Sequence, residues 1–290
     1  MPQVIGILGL PFLACLLMGT ILGYLGIHVL KREVIFIDIA LAQIAAVGSI
    51  VAHLAFEAHG DSLLAYICSF ICILLASVFY ALIKNRISQI SLEAIIGISY
   101  ALAAAGILFL VGIAPGGHVH IQHILSGSLL WTSWRQIITA LIVFAVIGFV
   151  FLLLRKQITK MSENYQNDYS KCNKAVFWDF AFYLLLGIVI TVSVQIGGVV
   201  VVFAYLIIPA TISAVISSRL VSQVAVIWTV SIVASLMGML FAYYFDFSIG
   251  PSISLFLGGE LILVSLVAMF FQRSLPSVNR QPVKPTHNQQ

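Results

Sequence analysis

The chain has 290 residues, 61% of them hydrophobic and only 8% charged, with a formal net charge of +4 and a mean hydropathy of +1.12. A soluble domain averages roughly 45–50% apolar and about 25% charged residues. A water-soluble globule of this composition is excluded, because it would lack the polar groups to cover its own surface.

Lipid is therefore the expected solvent. The first apolar run, 5–30, lacks the basic start of a cleavable signal and is read as a retained span. Further runs follow at 34–56, 63–83, 92–114, 136–154, 177–195, 198–216, 223–245 and 252–272. Each is long enough to cross a hydrocarbon core at 1.5 Å per residue. They must be helical, because each backbone group has to be satisfied inside its own segment, and alternating barrel strands are absent. The expected fold is all-α, a polytopic membrane bundle of about nine transmembrane helices over 1–275, followed by a polar, disordered cytoplasmic tail at 276–290.

The second run carries Asp38 one turn inside, Gln43 deeper, and His53 near its far end, with Glu57, His59 and Asp61 just beyond. Cys15, Cys68, Cys72 and Cys172 form no zinc or disulfide framework and read as small buried hydrophobes. The connector "GGHVHIQHILSG" (116–127) gathers His118, His120 and His123. Imidazoles beside carboxylates suit Zn, Mn or Fe, but a solvated loop that merely concentrates or passes cations is the simpler reading. Glu93 and Asp179 stand at helix starts, where the dipole stabilises a carboxylate. Asp246 lies in "FDFSIG", and Glu260 lies in the middle of the ninth run. An ionisable group at that depth is either a protonated, hydrogen-bonded carboxyl or a cation or proton contact.

Charge sorts the connectors. Lys31 and Arg32, Lys84 and Arg86, the 155–174 loop, Arg219 and the tail are basic, and each follows an odd-numbered run. Arg135 alone breaks the pattern. The positive-inside rule then puts the N-terminus outside, the C-terminus in the cytoplasm, and the histidine connector outside. No G-x-x-x-x-G-K-[ST], H-E-x-x-H or G-x-S-x-G occurs, so the chain is expected to be neither an enzyme nor a nucleotide binder by itself.

The run "GGVVVVFAYLIIPATISAVISSRL" (197–220) is very apolar up to Pro209 and then small and polar. Proline is expected to break or kink the helix there, leaving a short segment, 210–220, at the inner face. A span that merely kinks and ends at Arg219 fits the residues equally well. This run resembles the Gly–apolar–"IPA"–small-residue segment of the ABC-3 family of ATP-binding-cassette importer permeases. "LEAIIGISYALAAAGILFL" (92–110), "IQHILSGSLLWTSWRQ" (121–136) and "FDFSIGPSISLFLG" (245–258) resemble other segments of the family in the same order.

The resemblance implies a type II ABC importer permease-like fold in a bacterial cytoplasmic membrane, importing Zn, Mn or Fe by ATP-driven alternating access. It implies no bound cofactor. The partners it implies are a second permease, separate ATPase subunits and an external metal-binding receptor, within membrane lipid and without nucleic acid. Segment 210–220 would then be the coupling helix, with Pro209, Ala210, Thr211, Ser213, Ser217, Ser218 and Arg219 facing the ATPase. Asp38, Gln43, His53, His118, His120, His123, Asp246 and Glu260 are the cargo-pathway candidates. One departure stands out: where the family has Asp and His four apart on its second helix, this chain has Ile39 and Gln43. A metal chelate or other small solute is the alternative cargo. An ion-coupled secondary carrier using Asp38 and Glu260 is the alternative mechanism.

Overall fold

The computed structural model describes residues 2–56, 63–86, 89–113, 129–163 and 173–273. Among these, nine helices are long and apolar enough to cross a membrane. They are α1 (Pro2–Lys31), α2 (Ile37–Phe56), α3 (Leu63–Arg86), α4 (Leu92–Ile113), α5 (Trp134–Glu163), α6 (Asn173–Gly197), α7 (Val199–Ile216), α8 (Leu220–Phe245) and α9 (Ile249–Arg273). A single 3-10 turn, Leu129–Trp131, precedes α5. The histidine connector and the tail lie outside the described residues.

The helix ends follow from local chemistry. Ser91 caps α4 by accepting a hydrogen bond from the Ala94 amide at 3.3 Å. Ser133 and Gln136 form a reciprocal box at the start of α5: the Ser133 amide donates to Gln136 Oε1 at 2.9 Å, and the Gln136 amide donates to Ser133 Oγ at 3.4 Å. Phe56, Trp131 and Trp134 are exposed at helix ends, as aromatic residues at a membrane interface are.

Packing divides the helices into two groups. α2 packs on α3, α4 and α6, while α1 packs on α7 and α8, and α9 on α7 and α8. The groups meet where α6 and α7 touch each other and where α2 reaches α7, and α5 leans on both α1 and α6. α1 buries Cys15, Met18, Leu22, Leu25 and Val29 completely, a stripe at alternating three- and four-residue spacing. Its neighbouring stripe is Gly19, Gly23 and Gly26, lying against Ser231, Ile227 and Leu206. Small residues let helices approach where lipid offers no hydrophobic drive to associate. The outward faces of α5 and α9, including Phe149, Leu152, Leu153, Leu255, Ile262 and Phe270, are exposed and apolar, as a lipid-facing surface requires.

Two connections are tighter than the hydropathy pattern suggests. α6 ends at Gly197 and α7 starts at Val199, so Gly198 alone turns the chain, at φ 78 and ψ 164. That conformation is open essentially only to glycine. Gly198→Ala is expected to cost about 1–3 kcal/mol, read as a lower midpoint in thermal unfolding of the detergent-solubilised protein. A midpoint equal to wild type would contradict this account.

The second concerns Pro209. The expected break is absent: α7 runs as one helix through Pro209 to Ile216, and only residues 217–219 separate it from α8. Proline removes one amide donor, but a membrane helix tolerates that loss when side chains and neighbouring helices compensate. Here packing supplies the compensation: Ala210, next to the proline, packs with Ile27 of α1 and Ile227 of α8. Pro209 itself is buried among the neighbouring helices.

Candidate functional site

The α2 candidates are strung along one helix rather than gathered. Asp38 lies in the first turn and Gln43 five residues on, both buried. His53 is ten residues further, roughly 15 Å at helical rise. The helix is continuous between them, so no local distortion brings Asp38 and Gln43 onto one face. The Asp38 Oδ1 atom is buried with no hydrogen-bond partner. Among the described residues, no three of His, Cys, Asp and Glu come together in a way that would hold a metal ion. His118, His120 and His123 fall outside the described residues, as do Glu57, His59 and Asp61.

Asp246 is exposed and adopts the left-handed conformation, φ 55, at the C-terminal cap of α8. The Phe247 amide donates to the Ala242 carbonyl at 3.0 Å, which closes the turn. Asp and Asn enter this conformation more readily than other side chains, so turn chemistry by itself explains an aspartate here.

The residues expected at the inner coupling segment separate into two sets. Pro209, Ala210 and Ser213 are buried. Ala210 packs with Ile27 of α1 and Ile227 of α8, so these three face the bundle and not a partner. Thr211 is half-buried. Ser218 and Arg219 are exposed, together with Val215, Ile216 and Val221, the last at 85%. The exposed surface is thus the tip of the α7–α8 turn, 214–221, apolar and serine-rich, and shorter than the segment expected from the sequence.

A second polar centre was not singled out as a functional group by sequence reasoning. Asp179 of α6 receives Arg32, in the turn that follows α1, at 2.6 Å on Oδ1 and Lys84 of α3 at 2.9 Å on Oδ2. Arg32 Nε donates to Ser162 Oγ of α5 at 3.1 Å, and His28 Nδ1 lies 3.3 Å from the same hydroxyl. The guanidinium also stacks 4.0 Å above the Phe182 ring. The C-terminal ends of α1, α3 and α5 and the start of α6 therefore share one side of the bundle. Arg32 and Lys84 were read only as loop charges, and Asp179 only as a carboxylate at a helix start. The available signal was opposite charge at matching depth in three different spans.

Glu260 lies halfway along α9 and extends the buried stripe of Ile253 and Leu257 toward α7 and α8. Its Oε2 atom is buried without a hydrogen-bond partner. On α7, the Tyr205 phenol is completely buried. That hydroxyl is 2.5 Å from Ser235 Oγ on α8, and Ser235 in turn donates to the Ser231 carbonyl. No part of the sequence pattern pointed to Tyr205, Ser231 or Ser235.

The fold is similar to that of PsaBC from Streptococcus pneumoniae, solved in complex with Fab: TM-score 0.75 and 21% identity over 93% of this chain and 95% of that one. The chain is 24% identical over 197 residues to the "Probable metal transport system membrane protein" of Chlamydia trachomatis serovar D, covering 67% of this chain and 64% of that protein. It therefore spans a little under two thirds of that relative's length. It is 24% identical over 246 residues to the manganese transport system membrane protein MntC of Halalkalibacterium halodurans, covering 83% and 80% respectively. Residues 7–272, which contain every helix pair and polar centre described above, match the ABC 3 transport family (ABC-3), and the chain belongs to that family.

Proposed function

We propose that this chain is the membrane-spanning subunit of an ATP-driven importer for a divalent transition metal, in a bacterial cytoplasmic membrane. The observation that carries this reading is the family match over 7–272 together with nine apolar helices packed as one bundle. The names of two relatives, a metal and a manganese transport protein, support metal as the cargo. The chain would work as a pair, with separate ATPases below and a metal-binding receptor above, and would hold no cofactor of its own.

The exposed α7–α8 tip supports docking of the ATPase. Val215 and Ile216 end α7 and Val221 opens α8, exposed and apolar on either side of the short connection 217–219. An apolar patch outside the hydrocarbon needs a protein to cover it. Closure of paired ATPases on these turns would rock the bundles between outward and inward access. The N-terminus would lie outside and the C-terminus inside: Arg32 and Lys84 share a side with the start of α6, and basic residues favour the cytoplasmic face.

A metal chelate is the second reading. One observation favours it: Ile39 and Gln43 occupy the α2 positions where a carboxylate and an imidazole would serve a bare ion, and an amide is a poor transition-metal ligand. The test reconstitutes the permease with its ATPase and receptor in liposomes and measures ATP hydrolysis with Mn²⁺, Fe²⁺ or Zn²⁺. Stimulation and uptake of at least one ion are expected. No response to any of the three would favour the chelate.

A further inference from the structure

The end of α1 presents two faces to two different sets of helices. On one face, Ile27 packs with Ala210 of α7 and Ile227 of α8, and Leu30 and Val224 lie against the same cluster. On the other, His28 meets α5 and Arg32, just past the helix end, meets α5 and α6. Helical hydrogen bonding reaches Arg32, whose amide donates to the His28 carbonyl at 3.1 Å. At 100° per residue, Ile27 and Leu30 therefore point roughly 150° away from His28 and Arg32.

The contacts of Arg32 are short and buried. Nη1 donates to Asp179 Oδ1 at 2.6 Å, Nε donates to Ser162 Oγ at 3.1 Å, and the guanidinium lies 4.0 Å from the Phe182 ring centroid. A planar guanidinium fixed by several partners holds its geometry, and a close-packed interior transmits displacement rather than absorbing it. Charge balance does not require the arginine. Lys84 of α3 reaches the other oxygen of Asp179 at 2.9 Å and would neutralise it alone. What Arg32 adds is a connection: α1, α7 and α8 pack as one group, and α6 belongs to the other.

We propose that Arg32 is a positioning residue that couples the ATPase-facing turn to the second helix group. Movement imposed on the α7–α8 turn passes to the last turn of α1 through Ile27 and Leu30. Arg32 then carries it to Asp179 of α6 and Ser162 of α5. Without the arginine, the displaced group slides past its neighbour at this end of the bundle. This role rests on the ATPase docking proposed for that turn.

The test is hydrogen–deuterium exchange of the permease–ATPase complex in nanodiscs, nucleotide-free and with ATP plus vanadate, for wild type and Arg32→Gln. In wild type, nucleotide is expected to change exchange at least about threefold both in the last turn of α1 and at the start of α6. In Arg32→Gln the response in α1 is expected to remain and the response in α6 to disappear. A purely structural arginine would instead raise exchange in α6 with and without nucleotide, leaving the response intact. No response in α6 of wild type, an equal one in Arg32→Gln, or loss of both responses in the variant overturns the assignment. If Arg32→Gln fails to assemble, Arg32→Lys decides. Lysine keeps a cation for Asp179 but lacks the fork that also reaches Ser162. The response at the end of α5 should then vanish while that in α6 persists, and any other pattern overturns the role. If the ATPase leaves 214–221 unprotected, the docking reading fails, and the Arg32 link is still decided by the responses in α1 and α6.

Discussion

Asp179→Asn is expected to lower the stability of the solubilised protein by about 3–5 kcal/mol, the cost of breaking a buried ion pair from one side. The carboxylate holds two cations at once, Arg32 at 2.6 Å and Lys84 at 2.9 Å. Its loss leaves two like charges facing each other in a site where the Arg32 side chain has no exposure at all. The same charge count makes a sharper prediction. Lys84→Met leaves one carboxylate and one guanidinium, a balanced pair, and the Lys84 side chain is already 16% exposed. That change is expected to cost about 1 kcal/mol, within the range of partly solvated pairs. The measurement is the fraction of monodisperse protein surviving a heating series in detergent. Equal losses in the two variants would show that the charge balance does not govern this centre. The cluster ties α1 to α3, α5 and α6 and so joins the two helix groups at one end of the bundle. Loosening it should therefore separate the groups before either one melts.

The second large effect is expected at Gly26, where α1 crosses α7. A Cβ there would fall inside the Leu206 carbonyl oxygen and lie 2.9 Å from Ala210 Cβ. The obstacle is backbone, which no rotamer change can clear, so the helices must part. Overpacking of this kind costs roughly 1–3 kcal/mol and occasionally more. Gly26→Ala is expected at the top of that range, about 3 kcal/mol. Parting α1 from α7 would also disturb Ala210 and Ile227, directly beneath the exposed α7–α8 turn. Gly97→Ala on α4 is the control, because nothing lies within 4 Å of its added Cβ. Alanine is the better helix former by about 1 kcal/mol, so that variant should hold wild-type stability or exceed it. Both variants are compared by thermal survival and by assembly with the ATPase. A Gly26→Ala protein as stable as Gly97→Ala would mean that α1 and α7 do not approach this closely.

The number and order of spans were legible; most ends fell close to those expected, and α5 runs well past the expected 154, to Glu163. Nine apolar runs were expected and nine spanning helices are described, because lipid allows few ways to arrange a long apolar segment. The starts of α4 and α5 rest on side chains acting on their own neighbours, Ser91 and Ser133. Of the two readings open at Pro209, a break or a continuous span, the structure has the continuous one, because proline's effect depends on what surrounds it. Here neighbouring helices pack around the residue next to it, Ala210, with Ile27 and Ile227. The burial of Pro209, Ala210 and Ser213 was not legible for the same reason: small residues suit a surface as well as a close helix contact, and α1 and α8 enclose Ala210.

The sequence by itself determined that this protein lives in lipid, how many times it can cross, and which connectors carry positive charge. These properties depend on the transfer of each segment from water and on charge counted along the chain, both of which add up locally. Only the tertiary structure decided that Asp179 neutralises Arg32 and Lys84, that Gly26 must be a glycine, and that Tyr205 of α7 meets Ser235 of α8. Those facts depend on which faces of distant helices meet. When nearly every face is apolar, hydropathy carries no record of who packs against whom.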